Sequence, residues 1–112
     1  MNRILTVAGA LAGLGAVALS AVASHMTMEP GANLMLRDAI QMQGWHALAL
    51  LFAVQYSAIR AGWAFLLGII LFCAPIYTLV FFGMKFTFIA PYGGTMLMLG
   101  WGSLGIAAIR RR

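Results

Sequence analysis

Along the chain, apolar residues gather into four stretches separated by short polar breaks. The stretches run from Ile4 to Ala23, Ile40 to Ile59, Ala61 to Phe82 and Ile89 to Ile109. A helix rising about 1.5 Å per residue needs about 20 such residues to cross a hydrocarbon core about 30 Å thick, so each stretch predicts a transmembrane helix. What remains is a head from Met1 to Arg3, a loop from Ser24 to Ala39, a tight turn at Arg60, a turn from Gly83 to Phe88 and a tail from Arg110 to Arg112. None of these segments has room for a linker, a low-complexity tract or a second domain. The expectation is one domain over residues 1–112, an all-α integral membrane four-helix bundle.

Composition agrees with this reading. Hydrophobic residues make up 63% of the chain and charged residues 8%, where soluble domains have roughly half and a quarter. The net charge of +5 raises nucleic acid as a partner, because Lys and Arg neutralise phosphates. Here, however, the basic residues stand singly at span ends, and only Arg110, Arg111 and Arg112 cluster. That placement fits orientation in a bilayer, with the tail near anionic headgroups at about 1 kcal/mol per residue. No nucleic-acid partner is expected.

With four spans, the head, the second turn and the tail share one side of the membrane. That side collects five basic residues, Arg3, Arg60, Arg110, Arg111 and Arg112; the other holds Arg37 and Lys85 with both acids, Glu29 and Asp38. The bias predicts both termini in the cytoplasm. Arg3, the apolar run after it and Ala21-Val22-Ala23 also match the three parts of a secretory signal peptide. The run is nevertheless longer than the usual h-region and rich in small residues. Gly9 and Gly13 form a G-x-x-x-G pair beside a stripe of Ala8, Ala12, Ala16 and Ser20, a face that lets helices approach closely. The reading favours a retained helix.

Ionisable groups inside a span are costly, so each is a functional candidate. His46 qualifies, about 9 Å below the outer end of the second span by rise per residue, and His25 lies just past the outer end of the first. Gln43 and Trp45 flank His46, and Tyr77 lies near the outer end of the third span. The candidate polar cluster is therefore His25, Gln43, His46 and Tyr77, in an outer half more polar than the inner half, where Tyr56 and Trp63 suit the headgroup level. One reading makes His25 and His46 ligands to a metal or haem. Two histidines are too few for a closed zinc site, Glu29 and Asp38 fall in the expected loop, and Cys73 is in another helix. No metal and no cofactor is expected. The alternatives are a hydrogen-bonded network fastening helices together and a proton-relay or solute-gate site.

Pro75 inside the third span lacks an N–H for the carbonyl of Leu71, which predicts a kink. Cys73 is the lone cysteine, so no internal disulfide forms, and an apolar-embedded thiol is inert. Pro91 fits the first turn of the fourth helix. Gly93 and Gly100 follow on one face, seven residues apart, and permit close packing. Trp101, too deep for the interfacial belt, fills a gap between helices or faces lipid. The eight methionines are scattered, which suits adaptable filler better than a copper route. No nucleophile–base pair, phosphate-binding glycine loop or paired carboxylate occurs, so the chain is expected not to be an enzyme.

Gln43-Gly44-Trp45-His46-Ala47-Leu48-Ala49-Leu50-Leu51 resembles the Gln-x-aromatic-His-x-Leu-Ala signature of a small bacterial inner-membrane family, domain of unknown function 423, which includes transmembrane-protein-256-like proteins. Three further stretches agree in order: Met1 to Met26 with its histidine at His25; Leu71-Phe72-Cys73-Ala74-Pro75-Ile76-Tyr77, similar to the family's Leu-Phe-Ser-Gly-Ser-Leu-Tyr; and Ala90-Pro91-Tyr92-Gly93-Gly94 through Gly100-Trp101, similar to its Thr-Pro-x-Gly-Gly and Gly-Trp. The resemblance covers essentially the whole chain. It implies four membrane helices, an uncleaved N-terminus and a bacterial inner-membrane location, and it implies no activity. The chain departs from the pattern at Ala23-Ser24, at Cys73-Ala74-Pro75 and at Ala90, the last two losing hydroxyls that would line a solute path. The functional expectation is an accessory or assembly subunit packing against a larger membrane complex, such as a respiratory one, or forming a homo-oligomer in the lipid bilayer. The alternative is an oligomeric channel or small-solute transporter with a polar outer-side pathway.

Overall fold

Asn2 starts the first helix: its side-chain oxygen accepts the Leu5 N–H at 2.9 Å, satisfying one of the donors a helix N-terminus leaves free. The computed structural model describes residues 2–111. Met1 and Arg112, counted above in the head and the basic tail, lie outside the described residues. Four α-helices follow in order, α1 Arg3–His25, α2 Pro30–Gln55, α3 Ile59–Phe82 and α4 Ala90–Arg110, the last preceded by a 3-10 turn at Thr87–Ile89.

The connections depart from the expected ones in two places. Only Met26 to Glu29 links α1 to α2, because α2 begins at Pro30 rather than Ile40. Proline fits a first helical turn, and Leu36, Ala39, Gln43, His46 and Leu50, all buried, recur every three or four residues. The helical stripe thus starts well inside the segment expected to be a loop, and Asp38 belongs to the helix. The second turn lies at Tyr56 to Ala58, not at Arg60, which sits in the first turn of α3. There the N–H of Ala58 bonds to the Ala53 carbonyl at 2.8 Å and that of Ser57 to Val54 at 3.0 Å, with Ser57 left-handed at φ 61°. This is the Schellman pattern, with serine where glycine is usual. Gly83 closes α3 in the same left-handed region at φ 71°.

Consecutive helices are antiparallel neighbours: α1 packs on α2, α2 on α3 and α3 on α4. Leu5 of α1 also reaches Gly62 of α3, whereas α1 and α4 share no comparable interface. Phe65, Leu5, Leu36, Leu50 and Cys73 are the largest fully buried side chains. Along the α3–α4 interface the partners run in opposite chain order. A Cβ at Gly93 would fall inside the Leu71–Phe72 peptide, one at Gly68 would lie 2.6 Å from Leu97 Cδ2, and one at Gly100 would lie 2.7 Å from the Phe65 ring. Gly9 does the same for α1, where a Cβ would meet Leu51 at 2.8 Å. Gly13, expected to share that role, would meet nothing within 4 Å and faces outward.

Pro75 does not end α3, which continues from Ile59 to Phe82. Its missing N–H leaves the Leu71 carbonyl without its intrahelical donor, and that same peptide is where Gly93 seats α4. Three helical segments are long and apolar enough to cross a membrane, Arg3–His25, Ile59–Phe82 and Thr87–Arg110. The α2 helix is longer than any of them but carries Gln41, Gln43, His46 and Gln55, which lower its apolar character.

Candidate functional site: a polar seam between the helices

Gln43 lies buried on the face of α2 that packs against α1 and α3. Its Nε2 donates to the Ala12 carbonyl of α1 at 2.8 Å, and its Oε1 accepts from the Tyr77 hydroxyl of α3 at 2.6 Å. The small residues of α1 make this possible. Ala12 leaves its carbonyl approachable, and a Cβ at Gly15 would stand 2.9 Å from the Gln43 amide nitrogen. One turn toward the start of α2, the Cys73 thiol donates to the Ala39 carbonyl at 3.3 Å. This bond ties α3 to α2 a second time.

His46, one turn toward the end of α2, turns to other partners. The indole N–H of Trp101 on α4 donates to its Nε2 at 2.9 Å, so Nδ1 carries the proton and donates to the Met42 carbonyl at 2.7 Å. Both ring nitrogens of a neutral imidazole are then used. Phe65 of α3 completes an aromatic cluster, its ring centroid 5.8 Å from His46 and 5.1 Å from Trp101. Adjacent residues of α4 divide the work: Gly100 admits Phe65, and Trp101 holds His46.

The structure therefore brings Gln43 and Tyr77 together and places His46 in a neighbouring cluster with Trp101. His25 joins neither. It is exposed at the end of α1 and makes no side-chain hydrogen bond among the described residues. His46 lies nine residues from Gln55, about 14 Å, and sixteen from Pro30, about 24 Å, because α2 begins ten residues before Ile40. Trp101, nine residues from Arg110, matches that depth from the other chain direction. Sequence reasoning placed Trp101 in a gap or against lipid and did not pair it. The available signal was its lone N–H donor at mid-span, which needs an acceptor away from water.

Among the described residues, no buried side-chain nitrogen or oxygen lacks a partner. Nor do three or more His, Cys, Asp or Glu side chains gather as a metal site would require. The seam can cross-link four helices in a medium that offers no competing water.

Residues 14–94 match a family described as "Protein of unknown function (DUF423)", a range that holds Gln43, His46, Cys73 and Tyr77 but stops short of Trp101. A UPF0382 membrane protein of Haemophilus influenzae (strain ATCC 51907 / DSM 11121 / KW20 / Rd) is 33% identical over 124 residues, covering 99% of this chain and 97% of the relative. No solved structure matches.

Proposed function

This chain belongs to the DUF423 family of proteins of unknown function, and we propose that it works without catalysis, as an accessory or assembly component of a larger membrane complex or as a homo-oligomer. One observation carries this reading: the polar side chains of the seam are spent within the bundle, joining Ala12 to Gln43, Gln43 to Tyr77, Cys73 to Ala39 and His46 to Trp101. Groups engaged in this way fasten a scaffold rather than stand open to a substrate. The outward faces supply what a scaffold needs. Leu11, Leu14 and Val17 of α1 are more than half exposed, with Gly13 open beside them.

In this reading α2 is the fourth span, with Gln43 and His46 turned inward onto its neighbours while Gln41 and Gln55 stay exposed. The protein lies in the bacterial inner membrane with both termini cytoplasmic, as the five basic residues on that side favour. Affinity purification in mild detergent after cross-linking tests the assignment. A membrane subunit, or a second copy of the chain, co-elutes at fixed stoichiometry. A lone monomer would overturn the proposal, as would proteoliposomes that pass protons or small solutes in a manner lost in His46→Ala.

A further inference from the structure

A groove of about 810 Å³ lies between the start of α3 and the second half of α4. Ala61 and Ala64 form one wall; Met96, Leu99, Gly102 and Ile106, one face of α4 at three- and four-residue spacing, form the other. Arg60 and Arg110, both exposed and each at the terminus of its helix, complete the lining at what would be the groove's mouth. From Met96 to Arg110 the α4 wall is about 21 Å long, longer than the depth of one leaflet, which is half of about 30 Å. The groove is thus apolar over a lipid tail's reach and cationic where a headgroup would lie.

The mouth has no counter-charge among the described residues. Glu29 precedes α2 at its opposite end, and Asp38 lies seventeen residues from Gln55, about 25 Å along the helix. The end of α4 is also held in place: the Arg111 guanidinium carbon sits 4.0 Å from the centre of the Tyr56 ring, a cation–π contact against the α2–α3 turn. This holds the end of α4, and with it Arg110, near the α2–α3 turn that precedes Arg60. Ala58, the residue preceding α3, supplies no side-chain hydrogen bond, so N–H groups of the first turn add donors at the same level. A planar guanidinium pair matches phosphate oxygens bidentately, and basic pockets between membrane helices suit lipid headgroups.

We propose that this groove binds an anionic phospholipid, with the phosphate between Arg60 and Arg110 and one acyl chain along Met96, Leu99 and Ile106. The site requires membrane residence but not the accessory role, and the two stand or fall separately. Gly102 offers a test that leaves every charge in place, since a Cβ there would meet nothing within 4 Å. A leucine side chain at that position starts in open space on the wall of the groove. The thermal midpoint of the detergent-solubilised full chain is measured against added dioleoyl-phosphatidylglycerol, dioleoyl-phosphatidylcholine or inorganic phosphate. Phosphatidylglycerol raises the midpoint saturably, and the other two do not. Gly102→Leu and the double variant Arg60→Gln/Arg110→Gln each lower apparent affinity for phosphatidylglycerol at least tenfold, while helicity and the lipid-free midpoint stay at wild-type values. The proposal is overturned by an equal response to phosphatidylcholine or to phosphate alone, by no response to phosphatidylglycerol, or by wild-type affinity in both variants.

Discussion

A hydrogen bond inside a bilayer contributes modestly, about 0.6–2 kcal/mol, because the unfolded helices in lipid also find partners. The Gln43 amide gains specificity from being used at both ends, toward Ala12 and toward Tyr77. Gln43→Leu and Tyr77→Phe should each lower stability, and a double-mutant cycle followed by unfolding in mixed micelles should give a coupling of about 0.6–2 kcal/mol. Independent effects would show that the 2.6 Å contact does not contribute. Ser57 offers a change in the other direction. Its φ of 61° strains a side-chain-bearing residue, so Ser57→Gly should stabilise the same unfolding reaction by about 0.5–1 kcal/mol.

Helix pairs are set by where a side chain is missing. At Gly93 a methyl group would enter the Leu71–Phe72 peptide, and backbone cannot move aside as a flexible side chain can. Gly93→Ala should therefore part α4 from α3 and cost more than about 3 kcal/mol, whereas Gly13→Ala, with open space around it, should be neutral or gain up to about 1 kcal/mol from helix propensity. Thermal midpoints of the two purified variants decide between this contrast and a uniform glycine effect. The G-x-x-x-G motif read along α1 did not disclose that only Gly9 is used internally, because spacing places two residues on one face without saying what packs there. The early start of α2 was legible in principle. Leu36, Ala39 and Gln43 already carry the helical period, but Arg37 and Asp38 lower local hydropathy, and hydropathy measures membrane depth rather than helicity.

For the whole molecule, charge placement and antiparallel packing together set the predicted topology. In a Cys73→Ala background, a membrane-impermeant maleimide applied to intact bacteria should label Met26→Cys and Met84→Cys and leave Ser57→Cys unlabelled until the cells are opened. The reverse pattern would invert the assignment. The open order of helices, with α1 and α4 sharing no comparable interface, also leaves apolar faces for lipid or for a partner chain. Monomeric soluble proteins rarely expose large contiguous apolar patches, whereas Leu11, Leu14, Val17 and Ile4 of α1 alone are each more than half exposed.

Membrane character and helical class follow from the sequence by itself, because hydrocarbon admits few charges and requires backbone groups to bond within their own helix. The positions of α1, α3 and α4, the first-turn place of Pro91 and the interest of Gln43, His46 and Tyr77 were equally open to reading along the chain. Tertiary structure decided the partners. Trp101 rather than Tyr77 meets His46, Gly13 faces outward, His25 stands apart, and Arg60 and Arg110, fifty residues apart, share one groove. The period of a helix tells which residues share a face, but the register of one helix against another depends on close contacts between residues distant in the chain.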